Sequence, residues 1–481
     1  MESEAHARFL RSLANPVAME TLDELRRTDF ARLDKLGQVY LDYTGGGLYG
    51  ESQLIRHYEW LSSAVLGNPH SENPASAEST QSVENARAAV LSFFGASPSE
   101  YQVVFTANAS SALKLVGEAY PFTSGSRYLM TYDNHNSVNG IREYARRGGS
   151  IVQYVPVHNP DLRVDVETLS RALEQPTTGE PRLFAYPAQS NFSGVQHPLD
   201  WVREASDRGW DVILDCAAFV PTNRLDLGSV RPDFAVVSFY KMFGYPTGVG
   251  ALIARRTALE KLRRPWFAGG TIIVASVQDE SWYSLAPAPA GFEDGTVNYL
   301  SLSAVEMGLE YLERIGMEAI HERVMALTGW LMDQMSDLRH GNGTPVLQVF
   351  GPTTTLHRGA TVAFHVLDPS GDVFDVFRVA CLAAQDGISV RTGCFCNPGD
   401  GEVAHAIAKE DMAGCFPAAS GPATLAECFR IIADKTGKVP NTLRASLGLP
   451  TNFGDVYRLM RFLTRFVDRS VRDFAESQFE V

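Results

Sequence analysis

The sequence predicts an α/β fold, a mainly parallel sheet with helices on both faces, followed by a smaller α+β unit. Three observations predict it. Short apolar runs alternate with helix-like stretches through the first three hundred residues, the pattern of parallel strands joined by crossover helices. After about Leu300 that alternation gives way to long helical stretches and a few short strands. The 481 residues also suffice to bury a large core and divide into two domains.

In chain order, strands are expected at residues 102–106, 127–131, 151–157, 183–186, 211–214, 234–237 and 248–254. Helices are expected between them at 109–120, 166–175 and 200–208. The second unit reads as helices at 303–315 and 320–338, strands at 347–350 and 360–365, and helices at 373–385 and 455–474. Between these, 397–440 is rich in Gly, Pro and Ala and reads as an extended loop with one helix, 423–435. The expected division is an N-terminal arm, 1–35, packing with the small domain, then a large domain, 36–300, and a small domain, 301–481.

A formal charge of −14 argues against sequence-independent nucleic-acid binding and against an anionic membrane surface, both of which need a basic face. No apolar stretch approaches the roughly 20 residues that cross a bilayer. The start, Met1-Glu2-Ser3-Glu4-Ala5-His6, is acidic and unlike a secretory signal. Six cysteines in so long a chain do not read as a disulfide framework, so a reducing cytoplasm is expected. Cys216, Cys381, Cys415 and Cys428 sit in apolar or helical contexts and read as ordinary buried residues. No second ligand pair accompanies Cys394 and Cys396, so no metal is expected.

The chemistry centres on Lys241. It stands in a turn rich in Gly, Pro and aromatic residues between two apolar strands, where desolvation would lower its pKa and free the amine to attack a carbonyl. Asp215 ends another apolar strand, Val212-Ile213-Leu214, and ligands of such sheets bind beyond the carboxyl ends of the strands. A Schiff-base lysine paired with an acid for a pyridine nitrogen is the minimal signature of pyridoxal phosphate chemistry. Asn108-Ala109-Ser110-Ser111 opens a helix after a strand, a phosphate cradle by its free N–H groups. His135 follows the strand at 127–131, where its ring could stack on a pyridine.

Further segments, among them Gly67-Asn68-Pro69-His70-Ser71, Pro187-Ala188-Gln189-Ser190-Asn191-Phe192-Ser193-Gly194, Phe292-Glu293-Asp294-Gly295-Thr296, Arg391-Thr392-Gly393-Cys394-Phe395-Cys396-Asn397-Pro398-Gly399 and Leu443-Arg444-Ala445-Ser446-Leu447-Gly448, accompany the Lys241 stretch in a fixed order. On these, the chain resembles the class V pyridoxal-phosphate family, the cysteine-desulfurase-like group. Within it, the chain is most similar to the N-terminal desulfurase-like domain of molybdenum cofactor sulfurases. The resemblance implies the transferase fold of type I with a seven-stranded sheet, and a homodimer with shared sites.

It also implies roles. Lys241 would bond the cofactor and later move the substrate's α-proton, Asp215 would keep the ring nitrogen protonated, and His135 would stack on the ring. Ala109 and Ser110 backbone groups, with Ser238 and Tyr240, would hold the phosphate, and Thr296 would reach the phosphate of the neighbouring subunit. Asn191 and Arg444 would clamp the substrate α-carboxylate. Cys396 would be the nucleophile that takes sulfur from L-cysteine as a persulfide, leaving alanine; Arg391, counted among the substrate-binding residues, and the protonated cofactor are candidate cations for its thiolate. Cys394 reads as a structural neighbour rather than a second relay thiol.

The chain departs from the family in places. Ala218 replaces a glutamine at the cofactor's phenolic oxygen, with Gln189 a substitute. Gly45-Gly46-Gly47 is richer in glycine than is usual, for close backbone approach or for a flexible turn. Asp400-Gly401 stands where a third cysteine often follows, and the chain ends at Val481 without length for the domain that binds the molybdenum cofactor. A separate sulfur-acceptor protein is therefore expected. The alternative reaction is a C–S lyase, expelling sulfur by β-elimination from a cysteine S-conjugate without Cys396, or a decarboxylation or deamination of such a substrate.

Overall fold

Alternate residues of single strands feed two separate cores. Val212 and Leu214 pack into one with Phe184, Tyr186 and Val237, while Ile213 packs into the other with Leu183, Ala185 and Val236. That is the consequence of a two-residue side-chain period in a sheet covered on both faces. The computed structural model describes residues 2–12, 16–69, 71–175, 179–416 and 424–472.

The central sheet has seven strands: β1 (Tyr101–Thr106), β2 (Arg127–Thr131), β3 (Ile151–Val155), β4 (Arg182–Pro187), β5 (Asp211–Asp215), β6 (Phe234–Ser238) and β7 (Gly250–Arg255). Their order is β1-β7-β6-β5-β4-β2-β3. All run parallel except β7, antiparallel to β1 and to β6. An apolar run carries no direction, and the antiparallel strand was not foreseen. Three helices matter to the site: α1 (Ala109–Ala119) after β1, α2 (Phe239–Phe243) after β6, and α3 (Pro398–Ala404). Lys241 therefore stands on a short helix rather than a turn, closed by Gly244 at φ +79°.

A second sheet is antiparallel, with strands β8 (Leu347–Phe350), β9 (Thr361–Val366), β10 (Arg391–Gly393) and β11 (Thr442–Ser446) in the order β8-β9-β11-β10. Within 397–440 the one expected helix is present as Leu425–Thr436, and the rest is less extended than expected, with further short helices at Pro398–Ala404 and Lys409–Met412. Residue 423, His70 of the Gly67–Ser71 motif, and the end of the expected 455–474 helix fall outside the described residues. Cys415 and Cys428, expected as ordinary buried thiols, are disulfide-bonded, because the short helices at 409–415 fold back on Leu425–Thr436. Cys216 is buried, while Cys381 is exposed, contrary to expectation.

Candidate active site

The parallel strands β5 and β6 lie side by side, so their carboxyl ends deliver Asp215 and the helix carrying Lys241 to one edge of the sheet. Both residues line a cavity of about 150 Å³ with His135, Gln189, Asn191 and Ser238. Burial pushes the Lys241 amine below its ordinary pKa, against the pull of Asp215; the charges of Arg444 and Arg391 push the same way as burial. Asp215 is anchored by the Ala217 N–H, which donates to its Oδ1 at 3.0 Å. His135 is also lowered, first by burial, and its Nδ1 accepts from the Ser137 N–H at 3.1 Å, which leaves Nε2 to carry the proton of the neutral ring.

The α1 terminus is capped by Asn108, whose Oδ1 accepts from the Ser111 N–H at 3.0 Å. The Ala109 N–H donates to Ser238 Oγ at 2.9 Å, and the Ser110 and Ser137 hydroxyls lie 2.6 Å apart. The residues expected at a phosphate thus come together, already joined to one another. Tyr240 lines the same cavity. So does Gln189, whose Oε1 accepts from Gln196 at 3.0 Å.

On the substrate-carboxylate side an unforeseen residue intervenes. Asp42 accepts from Arg444 Nη2 at 3.0 Å and from Arg391 Nε at 2.8 Å, so Arg391 is committed to a carboxylate rather than to Cys396. Burial pushes Arg444 down to about 10, with Asp42 opposing. The remaining Arg444 contacts are Nη1 to the Asn191 carbonyl at 2.8 Å and its guanidinium carbon 4.4 Å from the centre of the Phe395 ring. Asp42 follows Val39-Tyr40-Leu41 as Asp215 follows its own apolar run, which is the signal that could have found it. The glycine run is there for close approach. A Cβ on Gly45 would meet Asp42 Oδ2 at 2.6 Å, and one on Gly47 the Lys241 carbonyl at 2.9 Å.

Cys396 is exposed, and its electrostatic influence on Lys241 raises that amine's pKa, an effect smaller than those of burial, Asp215, Arg444 and Arg391. Phe395 and Cys396 both adopt φ +56°, a left-handed backbone unfavourable for residues other than glycine. Their loop is held by Asn191 Nδ2 donating to the Phe395 carbonyl at 2.7 Å and by the Asn136 N–H donating to the Cys396 carbonyl at 2.7 Å. Burial raises the Cys394 thiol. Thr296 lies elsewhere, exposed, accepting from Asn68 at 3.4 Å and lining a second cavity of about 350 Å³ with Lys114 and Asp294. Among the described residues no cluster of His, Cys, Asp or Glu could hold a metal ion, and no helix is long and apolar enough to cross a membrane.

The model of the aminotransferase class V family matches residues 39–459, and the chain belongs to that family. It is a pyridoxal-phosphate-dependent enzyme of that class. Among curated proteins it is 39% identical over 417 residues to a molybdenum cofactor sulfurase of Bos taurus, covering 82% of this chain and 47% of the relative. With that of Homo sapiens it shares 35% identity, over 92% of this chain and 51% of the relative. The chain thus spans about half the length of these relatives. Among solved structures, the cysteine desulfurase from Thermococcus onnurineus has a TM-score of 0.74 at 22% identity, covering 92% of this chain and 97% of that one. The cystine C–S lyase C-DES has a TM-score of 0.68 at 18% identity, covering 91% and 100%. These similarities place the fold in type I of the pyridoxal-phosphate enzymes. The residues present fit the cofactor: a desolvated lysine amine, a carboxylate at the same sheet edge, and a helix N-terminus ringed by hydroxyls.

Proposed function

We propose that this chain takes the sulfur of L-cysteine onto Cys396 as a persulfide, releases alanine, and passes the sulfur to an acceptor protein. One observation carries the reading. The buried Lys241 amine lines the cavity with Asp215, His135 and Asn191, and the exposed Cys396 is tied beside that lining, its carbonyl accepting from the Asn136 N–H at 2.7 Å and that of Phe395 from Asn191 Nδ2 at 2.7 Å. Lys241 would hold the cofactor's aldehyde carbon, Asp215 its ring nitrogen, His135 a ring face, and α1 with Ser110, Ser238 and Tyr240 the phosphate. Gln189 would meet the phenolic oxygen that Ala218 leaves unserved. When bound, the cofactor supplies an electron sink for the substrate's Cα.

The chain's own residues do the rest. Asn191 and Arg444 bind and orient the α-carboxylate, and the neutral Lys241 amine takes the α-proton. The Cys396 thiolate bonds to the substrate sulfur as the Cβ–S bond breaks, its electron pair staying on carbon. Carbon regains its protons, alanine leaves, and the sulfur remains on Cys396; no oxidant is consumed. Because this needs a reduced thiol, a reducing compartment such as the cytoplasm belongs to the proposal.

A homodimer belongs to it too, with Thr296 reaching the neighbouring subunit's phosphate. Support comes from the exposure of Thr296 and of large apolar side chains nearby in the chain, Trp266, Ile273, Val274 and Trp282. The division into an arm, 1–35, a cofactor-binding part, 36–300, and a part carrying Cys396 and Arg444, 301–481, belongs to the proposal as well, and the packing of the arm with the last part is supported by Arg26. It donates to the Pro450 carbonyl at 2.8 Å and pairs with Asp455 at 2.9 Å. Sedimentation of the purified protein tests the dimer.

Cys396→Ser tests the reaction. Alanine formation from cysteine should vanish while the bound cofactor's absorbance stays. Undiminished turnover in that variant would sink the desulfurase reading and leave β-elimination from a cysteine S-conjugate.

A further inference from the structure

The two groups suited to the substrate carboxylate already hold partners within the chain. Asn191 Nδ2 donates to the Phe395 carbonyl at 2.7 Å, and the Arg444 guanidinium covers the Phe395 ring at 4.4 Å. Phe395 thereby sits between the carboxylate grip and the next residue, Cys396. Its ring also packs against Phe192, 5.4 Å between centroids, and is almost wholly buried. Both Phe395 and Cys396 hold a left-handed backbone, which persists only where surrounding contacts impose it. Among the described residues Arg444 Nε is buried with no hydrogen-bond partner, so the guanidinium has a donor to spare for a further anion.

We propose that Phe395 is the positioning residue of the reactive thiol, and that it couples Cys396 to the carboxylate pocket. It is held by Asn191 and Arg444 when the pocket is empty and released when a carboxylate takes them. This rests on the assignment of those two residues to the substrate carboxylate. The physical basis is competition. A carboxylate accepts from the Asn191 amide and from the guanidinium more strongly than a neutral carbonyl does. Asp42 is shared between Arg444 and Arg391, so a second anion would cancel the charge the trio still carries, and the guanidinium would then attract the face of an aromatic ring less. Losing both restraints lets the left-handed segment relax, and Cys396 becomes free to move toward a bound substrate and later toward an acceptor.

The test is the alkylation rate of Cys396 by iodoacetamide in the holoenzyme, resolved from Cys394 by fragmentation mass spectrometry, with exposed Cys381 as internal reference. Glycine supplies an amine and a carboxylate without sulfur; methylamine supplies the amine alone. The visible absorbance of the bound cofactor reports whether each has reacted at the site. Glycine should change the absorbance and raise Cys396 alkylation by about tenfold, within the usual range of coupling between sites. Methylamine should change the absorbance and leave alkylation as it was.

Phe395→Leu keeps apolar volume against Phe192 but has no ring face. It should alkylate fast without glycine and respond to it by less than about twofold, while Phe395→Tyr should restore the response. A changed absorbance with unchanged alkylation overturns this coupling and leaves the proposed function standing. No absorbance change with glycine overturns the amino-acid reading and the coupling with it. A full glycine response in Phe395→Leu overturns the role given to Phe395.

Discussion

Arg391 and Arg444 stand directly opposite each other on the antiparallel strands β10 and β11, and Asp42 accepts from both. Like charges facing across a strand pair repel, and here one of them is almost fully buried. Asp42 is what makes the arrangement tolerable, and it holds Arg444 where its Nη1 reaches the carbonyl of Asn191, a residue of the cavity lining. Asp42→Asn should therefore destabilise the protein by on the order of 3 kcal/mol, as expected for a buried charge stripped of its partner. Combining it with Arg444→Met should cost less than the two single changes summed, by about 1 kcal/mol or more. Urea denaturation of the four proteins decides the matter; additive losses would mean that Asp42 does not stabilise Arg444.

Burial sets the working pH of Lys241. A free lysine titrates near about 10.4, so below that its neutral fraction changes about tenfold for each pH unit. With its pKa depressed, Lys241 should be largely neutral at a lower pH. Its capture of pyridoxal phosphate by the cofactor-stripped protein, followed by absorbance, should level off at a lower pH than capture by a free lysine amine does. A rate that climbs about tenfold per unit up to pH 10 would contradict a desolvated amine. Lys241→Ala should retain no coloured cofactor through gel filtration.

The imidazoles of His365 and His405 stack 5.0 Å apart and are pushed by burial to about 4 and about 3. In the unfolded chain both titrate near about 6.5. The folded protein then binds fewer protons than the unfolded chain as pH falls below that value, so the stabilising contribution is present above it and lost on acidification. Each histidine should cost roughly 2 kcal/mol between pH 7 and pH 5, at about 1.4 kcal/mol per pH unit. His405→Gln can still bond the Thr442 hydroxyl, which His405 meets at 2.8 Å, and should lose about 2 kcal/mol less over that interval. Denaturation at the two pH values checks it; equal losses would show that this histidine does not titrate on unfolding.

What the sequence made legible follows from burial. Strands covered on both faces are apolar throughout, so β2 was expected with the ends observed and β4, β5 and β6 to within a residue or so at each end. Asp215 was legible as a charge at the end of such a run, and Lys241 as a lone charge in the short link between two of them. By contrast β11 carries Thr442, Arg444 and Ser446 inside the protein, while the short β10 has Arg391 exposed and Thr392 half-buried. Buried polar strands have no apolar signature, and only the resemblance singled out those arginines. Asp42, Phe395 and the Cys415–Cys428 bond depend on contacts between segments far apart or on chain reversal, which periodicity does not encode.

Gly399 shows how narrowly the thiol-bearing segment is seated. A Cβ there would meet the Tyr132 carbonyl oxygen at 2.0 Å, a backbone atom with no freedom to swing aside. Helix α3, opened by Asn397 with its Oδ1 accepting from the Asp400 N–H at 3.1 Å, rests its first turn on the loop that also carries Asp133 and His135. Gly399→Ala must lift that turn and, with it, Cys396 three residues earlier. None of the residues lining the Lys241 cavity lies on α3, so the variant should bind pyridoxal phosphate with normal absorbance. Alanine release from cysteine should fall by about 100-fold, the scale set by a misplacement of about 1 Å. Normal turnover in a protein that carries the cofactor would mean that the position of α3 does not set that of the thiol.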